Sequence, residues 1–161
     1  MAKYITPTLT IKSNTYSATT NPGPMSSPLD ISVTDLLDVT KVDSQIVDVD
    51  TSHGATNLLF DASDYGSSMT EGVDGGFVYL RNLLSDNSPE DRLHDIMIGA
   101  TTGELDSDAD PTSPSAVRLM TLKPGEFAFF PWDMTFDLYF DAKETNTNAL
   151  EAILFVRTGT A

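Results

Sequence analysis

The sequence VRLMTLKPGEFAFF, at residues 117–130, decides the fold class of this 161-residue chain. Two apolar runs of strand length flank Lys123-Pro124-Gly125. Proline followed by glycine at the two central positions is what a type II turn requires, because the second central residue has a positive φ. The stretch therefore predicts a β-hairpin whose strands are the two apolar runs.

Strand patterns also occur in the earlier part of the chain. Leu29, Ile31 and Val33 alternate with polar residues, which predicts a strand with one face against a core and the other in water. Residues 77–84 (FVYLRNLL) are apolar at positions of both parities, which predicts a central strand covered on both faces. Residues 36–46 are interpreted as a strand plus a turn.

The last apolar stretch completes the fold prediction. Residues 149–157 could begin a helix capped by Asn148, but Phe155 and Val156 favour a strand, which is the preferred interpretation. The pattern gives roughly eight to ten short strands separated by turn residues, and no amphipathic helix of about ten residues or more. We therefore predict an all-β chain: an antiparallel β-sandwich, jelly-roll-like, with an extended N-terminal arm.

The predicted domains are an N-terminal arm at residues 1–28 and a single β-sandwich domain at residues 29–161. Residues 4–11 have the β-branched character of an edge strand, and Pro7 cannot donate a ladder hydrogen bond. Residues 12–28 contain three prolines and almost no apolar side chains, so they cannot offset their own ordering entropy. They are either a disordered leader or a segment that becomes ordered only against a neighbouring subunit.

Charge disfavours nucleic acid as a partner. The chain has 9 basic and 24 acidic residues and a formal net charge of −15, so a polyphosphate would be repelled. The excess lies in residues 30–110, which hold 18 acids against Lys41, Arg81 and Arg92. A solvated acidic surface without a specific role and an aid to solubility at high local density are both compatible with this distribution.

Membrane and export signals are not visible either. The first residues lack the apolar region of a signal peptide, and no run approaches the ~18 apolar residues of a membrane span. We therefore expect no membrane partner, and assembly in a cytosol.

Residue chemistry mainly excludes catalytic classes. The chain has no cysteine, no phosphate-binding glycine motif and no Gly-x-Ser-x-Gly elbow. His53 and His94 are its only imidazoles, and neither lies in a metal-ligand spacing, so each is interpreted as an ordinary surface or loop residue. We predict no catalytic residue, no cofactor, no metal site and no enzymatic activity.

A weaker hypothesis is a calcium loop at Asp106, Asp108 and Asp110, since oxygens at alternate positions begin such loops. The sixth position is Pro111 where glycine is needed, and the twelfth is Val117 where a glutamate is needed. A plain acidic loop is the preferred interpretation, and calcium binding is left open.

Aromatic residues are concentrated near the C-terminus: seven of the 14 fall within residues 127–140, including Trp132. Most are expected in the core. Phe129 and Phe130 are adjacent, however, and must point to opposite faces of a strand. One face is therefore expected to be covered by something other than the main core, either a stacked sugar or a neighbouring subunit.

Two motifs carry a family resemblance, YLRN at residues 79–82 and LKPGE at residues 122–126. With DIMIG at 95–99 and LEAILF at 150–155, they resemble β-rich virion proteins of tailed bacteriophages, specifically capsid decoration or cement proteins.

The resemblance implies a non-enzymatic virion protein that binds the major capsid protein on the outer head surface and stabilises the lattice. It also implies a homo-oligomer, with a trimer favoured, and assembly in the host cytoplasm. The arm at residues 12–28 would serve as a contact.

No functional residue is carried over from the family. The alternatives are a carbohydrate-binding β-sandwich of a tail or fibre that uses Trp132, and a β-barrel enzyme with an unrecognised carboxylate site.

Overall fold

The computed structural model describes seven segments of the chain: residues 3–12, 30–49, 57–65, 75–84, 94–100, 117–142 and 149–157. The chain divides into two compact units, Met1–Val39 and Thr40–Ala161. Within the described residues, regular structure consists of antiparallel strands and one short 3₁₀ turn. The prediction of an all-β fold is confirmed.

The described part of the first unit consists of two consecutive antiparallel strand pairs, which together are called the N-terminal ribbon. Its strands are β1 (Lys3–Ile5), β2 (Thr8–Lys12), β3 (Asp30–Thr34) and β4 (Leu37–Val39). β1 pairs with β4 and β2 with β3, and the same register continues across the break between the two pairs. The break falls at Pro7, which has no N–H to donate; its carbonyl still accepts from the Asp35 N–H at 3.2 Å.

This ribbon changes one sequence-based expectation. The compact unit ends at Val39, since β3 and β4 pair with the N-terminal strands, and the predicted domains 1–28 and 29–161 stay predictions, because residues 13–29 lie outside the described segments. The face of Ile31 and Val33 was expected to lie against a core, but these side chains are 42% and 58% exposed. The alternation predicted the strand correctly and the burial of these side chains wrongly; within the described ribbon the buried side chains are Leu37 and Val39 on β4. Leu29 lies outside the described residues.

The second unit is the β-sandwich. Its elements are β5 (Lys41–Asp48), β6 (Leu58–Phe60), the 3₁₀ turn (Ala62–Tyr65), β7 (Gly75–Asn82), β8 (Ile96–Gly99), β9 (Arg118–Leu122), β10 (Phe127–Trp132), β11 (Leu138–Ala142) and β12 (Ala149–Arg157). The first sheet has the order β10-β7-β12-β5, and the second sheet has the order β6-β11-β8-β9. Both are antiparallel throughout. The strand prediction for residues 149–157 and the central position of β7 are confirmed.

One apolar cluster joins the two sheets. The buried positions of β7 and β12 alternate with partly exposed ones, which is the period of a strand with one face in a core. The first sheet contributes side chains such as Val78, Leu80 and Leu154, and the second contributes side chains such as Ile96 and Phe140. Burial of these side chains on both sheets is the main favourable term for this unit.

The Lys-Pro-Gly turn forms as predicted, but it does not close a hairpin. Gly125 has φ of 78°, and the Glu126 N–H donates to the Lys123 carbonyl at 2.9 Å. The flanking strands lie in different sheets, because β9 pairs with β8 and β10 pairs with β7. The turn residues determine where the chain reverses, whereas pairing with distant strands determines which sheet each side joins.

Asn82, at the end of β7, connects the two sheets beside this turn. Its side chain is fully buried, and its Nδ2 donates to the carbonyls of His94 at 2.9 Å and Leu122 at 3.2 Å. Its Oδ1 accepts from the Leu84 N–H at 3.2 Å. A buried amide with partners for both donors and for its acceptor fixes the relative position of three chain segments.

No helix in the described segments is long and apolar enough to cross a membrane.

Replacing Asn82 by alanine should lower the free energy of unfolding by about 2 kcal/mol, because two buried carbonyls lose their donor. Urea denaturation followed by circular dichroism measures the change. Lys123→Ala is the control, since that side chain is exposed at the same turn. Equal stability of the two variants would contradict the role given to Asn82.

Candidate functional site

The outer face of the first sheet is the largest candidate site in the described residues. Strand register places on it the side chains that alternate with the core positions, and we call this surface the apolar face. It consists of Phe127, Phe129 and Pro131 on β10; Phe77, Tyr79 and Arg81 on β7; Glu151, Ile153, Phe155 and Arg157 on β12; and Val42, Ser44, Ile46 and Asp48 on β5.

Aromatic rings occupy the middle of the apolar face. Phe77 and Phe129 are stacked at a centroid distance of 5.3 Å and an interplanar angle of 10°. Phe129 also contacts Phe155 edge to face at 6.3 Å, and Tyr79 stacks with Phe127 at 6.3 Å. The rings cross three neighbouring strands, because diagonal neighbours in an antiparallel pair lie within reach of aromatic side chains.

The apolar face is open to solvent in the single chain. Phe127 and Ile46 are 64% and 66% exposed, and Phe77 and Tyr79 are only half-buried. The sequence predicted a β7 covered on both faces; among the described segments, the core cluster covers its inner face alone. Phe129 and Phe130 do point to opposite faces, as predicted, with Phe130 packed against the core.

Charges on the apolar face balance one another. Arg81 and Glu151 are directly opposite on β7 and β12. Arg157 lies over the Phe77 ring at 5.8 Å, and Asp48 follows on β5 with the same parity as Ile46. Two bases and two acids give a neutral surface on a chain of net charge −15.

Trp132 does not belong to this surface. It is 3% exposed, its ring lies 6.1 Å from Phe60 and 6.2 Å from Tyr65, and its Nε1–H donates to the Phe136 carbonyl at 3.1 Å. A buried indole with its donor already paired cannot stack on a sugar. The sugar-binding hypothesis based on Trp132 is therefore wrong in its choice of residue.

The N-terminal ribbon carries a second unpartnered apolar surface, here called the ribbon face. Leu9 is opposite Val33, and Ile11 is opposite Ile31, so the four side chains share one side of β2 and β3. All four are between 42% and 58% exposed. On the other side, Thr10 is opposite Ser32. Along β2 and β3 the ribbon thus has one apolar side and one polar side, and both are exposed; on β4, by contrast, Leu37 and Val39 are buried.

A pocket of about 320 Å³ lies beside the edge of β5. Its lining consists of Asp43, Ser44, Gln45, Leu58, Leu59, Phe60, Asp61, Asp64 and Tyr65. Gln45 Nε2 donates to the Leu59 carbonyl at 2.7 Å, and this hydrogen bond joins β5 to β6. Lys41 forms a 2.7 Å ion pair with Asp43 and lies 4.9 Å from the centre of the Tyr65 ring.

Two titratable groups of this acidic pocket have shifted pKa values. Desolvation and a hydrogen bond to Asp43 raise the pKa of Tyr65 far above its ordinary value. Hydrogen bonds from the Ser63 hydroxyl and backbone N–H, at 2.6 and 2.8 Å, lower the pKa of Asp61. A general base is most effective with a pKa near neutrality. Tyr65 stays protonated and Asp61 becomes a weaker base, so neither is tuned for that role.

Metal-binding expectations can be examined only in part. No group of three or more His, Asp or Glu side chains in the described segments could hold a metal ion. Asp106, Asp108 and Asp110 lie outside those segments, as does His53, so the calcium hypothesis stays a prediction. His94 is half-buried, and its carbonyl accepts from Asn82.

Most of the apolar face was not predicted from the sequence. Val42 and Ile46 on β5 have the parity opposite to that of Val47, which packs against the core, and they were not assigned to an exposed face. The available signal was that β5, β7 and β12 each have apolar residues at both parities, which is more than one core requires.

Comparisons of this chain with protein-family models, with curated proteins and with solved structures found no match.

Tyr65→Phe should reduce the loss of stability at alkaline pH. Because the folded chain disfavours ionised Tyr65, this residue contributes stability below its ordinary pKa of 10.0, and the contribution is lost as pH rises above that value. Urea denaturation at several pH values from neutral to above 10 should give a shallower decline for the variant. Identical declines would contradict the environment described for Tyr65.

Proposed function

We propose that this chain is a non-enzymatic structural protein of a bacteriophage virion, a capsid decoration protein that binds the major capsid protein on the outer head surface. It would be incorporated after assembly in the host cytoplasm, and it would act by covering and fastening contacts between other subunits. The proposal rests first on the resemblance of the YLRN and LKPGE motifs to such proteins.

The ribbon face is the observation that carries the proposal. A two-stranded ribbon is marginally stable in water unless it packs against something else. Here its four exposed apolar side chains could be buried by docking on a neighbouring subunit. The arm at residues 12–28, expected either to be disordered or to become ordered against a neighbour, lies outside the described residues except for Lys12, so that expectation stays a prediction.

The negative charge supports the same role. A net charge of −15 favours solubility when many copies are held close together, and it disfavours packing against the nucleic acid inside a head. An outer-surface position satisfies both conditions.

The direct test adds the purified full chain to particles that lack it, and measures bound copies by quantitative mass spectrometry. Leu9→Thr with Val33→Thr should weaken particle binding by about 10- to 100-fold, since two partly exposed side chains lose about 1.5–3 kcal/mol of burial. Threonine keeps the β-branched character that strands favour, so the ribbon should still form.

The matched control is Thr10→Ala with Ser32→Ala, the directly opposed pair on the polar side of the same strands. It should bind like the unmodified chain. Absence of the chain from native particles, or equal binding by both double variants, would refute the proposal.

A further inference from the structure

We propose that the apolar face packs against the same face of a second copy of this chain, sheet on sheet. This concerns a different surface from the ribbon face and does not depend on the particle to which the chain binds. The face is preferred to the sheet edges because both edge strands resist addition of another strand.

Edge protection is visible in the sequence of the edge strands. β10 contains Pro131, which has no N–H for a further ladder. β5 carries Lys41, Asp43 and Asp48, and charged residues on an edge oppose pairing with another chain. The open surface of the first sheet is therefore its face.

The area of the apolar face is sufficient for a specific contact. Four strands spaced about 4.8 Å apart give a width of roughly 19 Å, and a strand of the length of β7 (8 residues), at ~3.3 Å per residue, gives a length of roughly 25 Å. Two such faces would remove about 1,000 Å² from water, which is near the lower limit for a biological interface. Opposed sheets with interdigitating side chains lie ~10 Å apart, as in the sandwich itself.

The arrangement of residues is that of an interface, with an apolar centre and a charged periphery. Phe77, Tyr79 and Phe155 lie on the two central strands, β7 and β12. Arg81 with Glu151, and Arg157, lie toward opposite ends of those strands.

The charge distribution of the chain favours a second copy as the partner that covers the apolar face. Two chains of net charge −15 repel each other, and the repulsion is smallest where the approaching surfaces are themselves neutral. The apolar face is neutral, and a two-fold pairing lets the arginines of one copy approach the Glu151 of the other. The exposed aromatic rings would then be covered by identical rings.

Symmetry makes the inference specific. A surface that pairs with itself is isologous and forms closed pairs, so the assembly has an even number of copies. This differs from the trimer that the family resemblance implies. A measurement of molecular mass in solution distinguishes an even-numbered assembly from a trimer.

The experiment is analytical ultracentrifugation of the purified full chain over a range of concentrations. The unmodified chain should sediment at twice its mass of 17.4 kDa, or at an even multiple. Ile46→Glu with Phe127→Glu changes the two most exposed large apolar residues of the face and should raise the dissociation constant by at least about 100-fold, since two charges must be desolvated in each copy.

Leu119→Glu is the matched control, because Leu119 is an exposed apolar residue of β9 in the other sheet. It should leave the association unchanged. If the double glutamate variant loses its circular dichroism spectrum, the milder pair Ile46→Thr and Phe127→Gln replaces it. A monomeric or trimeric unmodified chain, or dimers that survive both pairs of substitutions, would overturn the inference.

Thiol reactivity gives an independent readout, because the chain has no cysteine and Ser44→Cys introduces a single thiol on the apolar face. Its modification by a maleimide should slow at least about 10-fold as protein concentration rises through the dissociation constant, and it should not slow in the Ile46→Glu, Phe127→Glu background. Equal rates in both backgrounds would contradict the proposed contact.

Discussion

The pairing of β7 with β10 on one side and β12 on the other is the constraint on which the rest of the sandwich depends. The two edges of β7 are both hydrogen-bonded within the first sheet, so its side chains can only point into the core or away from it. Val78 and Leu80 point into the core, whereas Phe77 and Tyr79 necessarily point outward with the rings of their neighbours. One register thus determines both the core and the apolar face.

Exposed apolar surfaces lower solubility, and a strongly acidic chain can tolerate them because its net charge raises solubility. The net charge of −15 keeps separate chains apart in solution, while neutral patches give them defined places to meet. The apolar face and the ribbon face have this combination of apolar composition and exposure.

Sequence patterns predicted the class of fold because strand periodicity is local. The alternation at Ile31 and Val33, the two-sided apolar run of β7 and the turn at Gly125 all correspond to observed elements. What these patterns could not predict was the partner of each strand. The residues around Gly125 have the pattern of a hairpin, and only pairing with β7 and β8, which are distant in sequence, separates β9 from β10 into two sheets.

Sequence patterns also could not predict which apolar side chains are buried. Trp132 and Phe127 belong to the same aromatic-rich segment, but opposite strand faces and different neighbours leave one buried and the other exposed. No local sequence pattern distinguishes a strand face that packs against the core of its own chain from one that packs against a partner, because the residue types are the same. The apolar face became recognisable only once register had placed side chains from four strands side by side.

The central claim is that protein, not water, covers the apolar face in the working form of this chain. Hydroxyl-radical footprinting tests it with two phenylalanines of nearly equal exposure in the single chain: Phe129 at 38%, on the apolar face, and Phe136 at 37%, outside it. As protein concentration rises, oxidation of Phe129 should fall several-fold while oxidation of Phe136 stays constant. Constant oxidation of both rings at every concentration, and in assembled particles, would contradict the account.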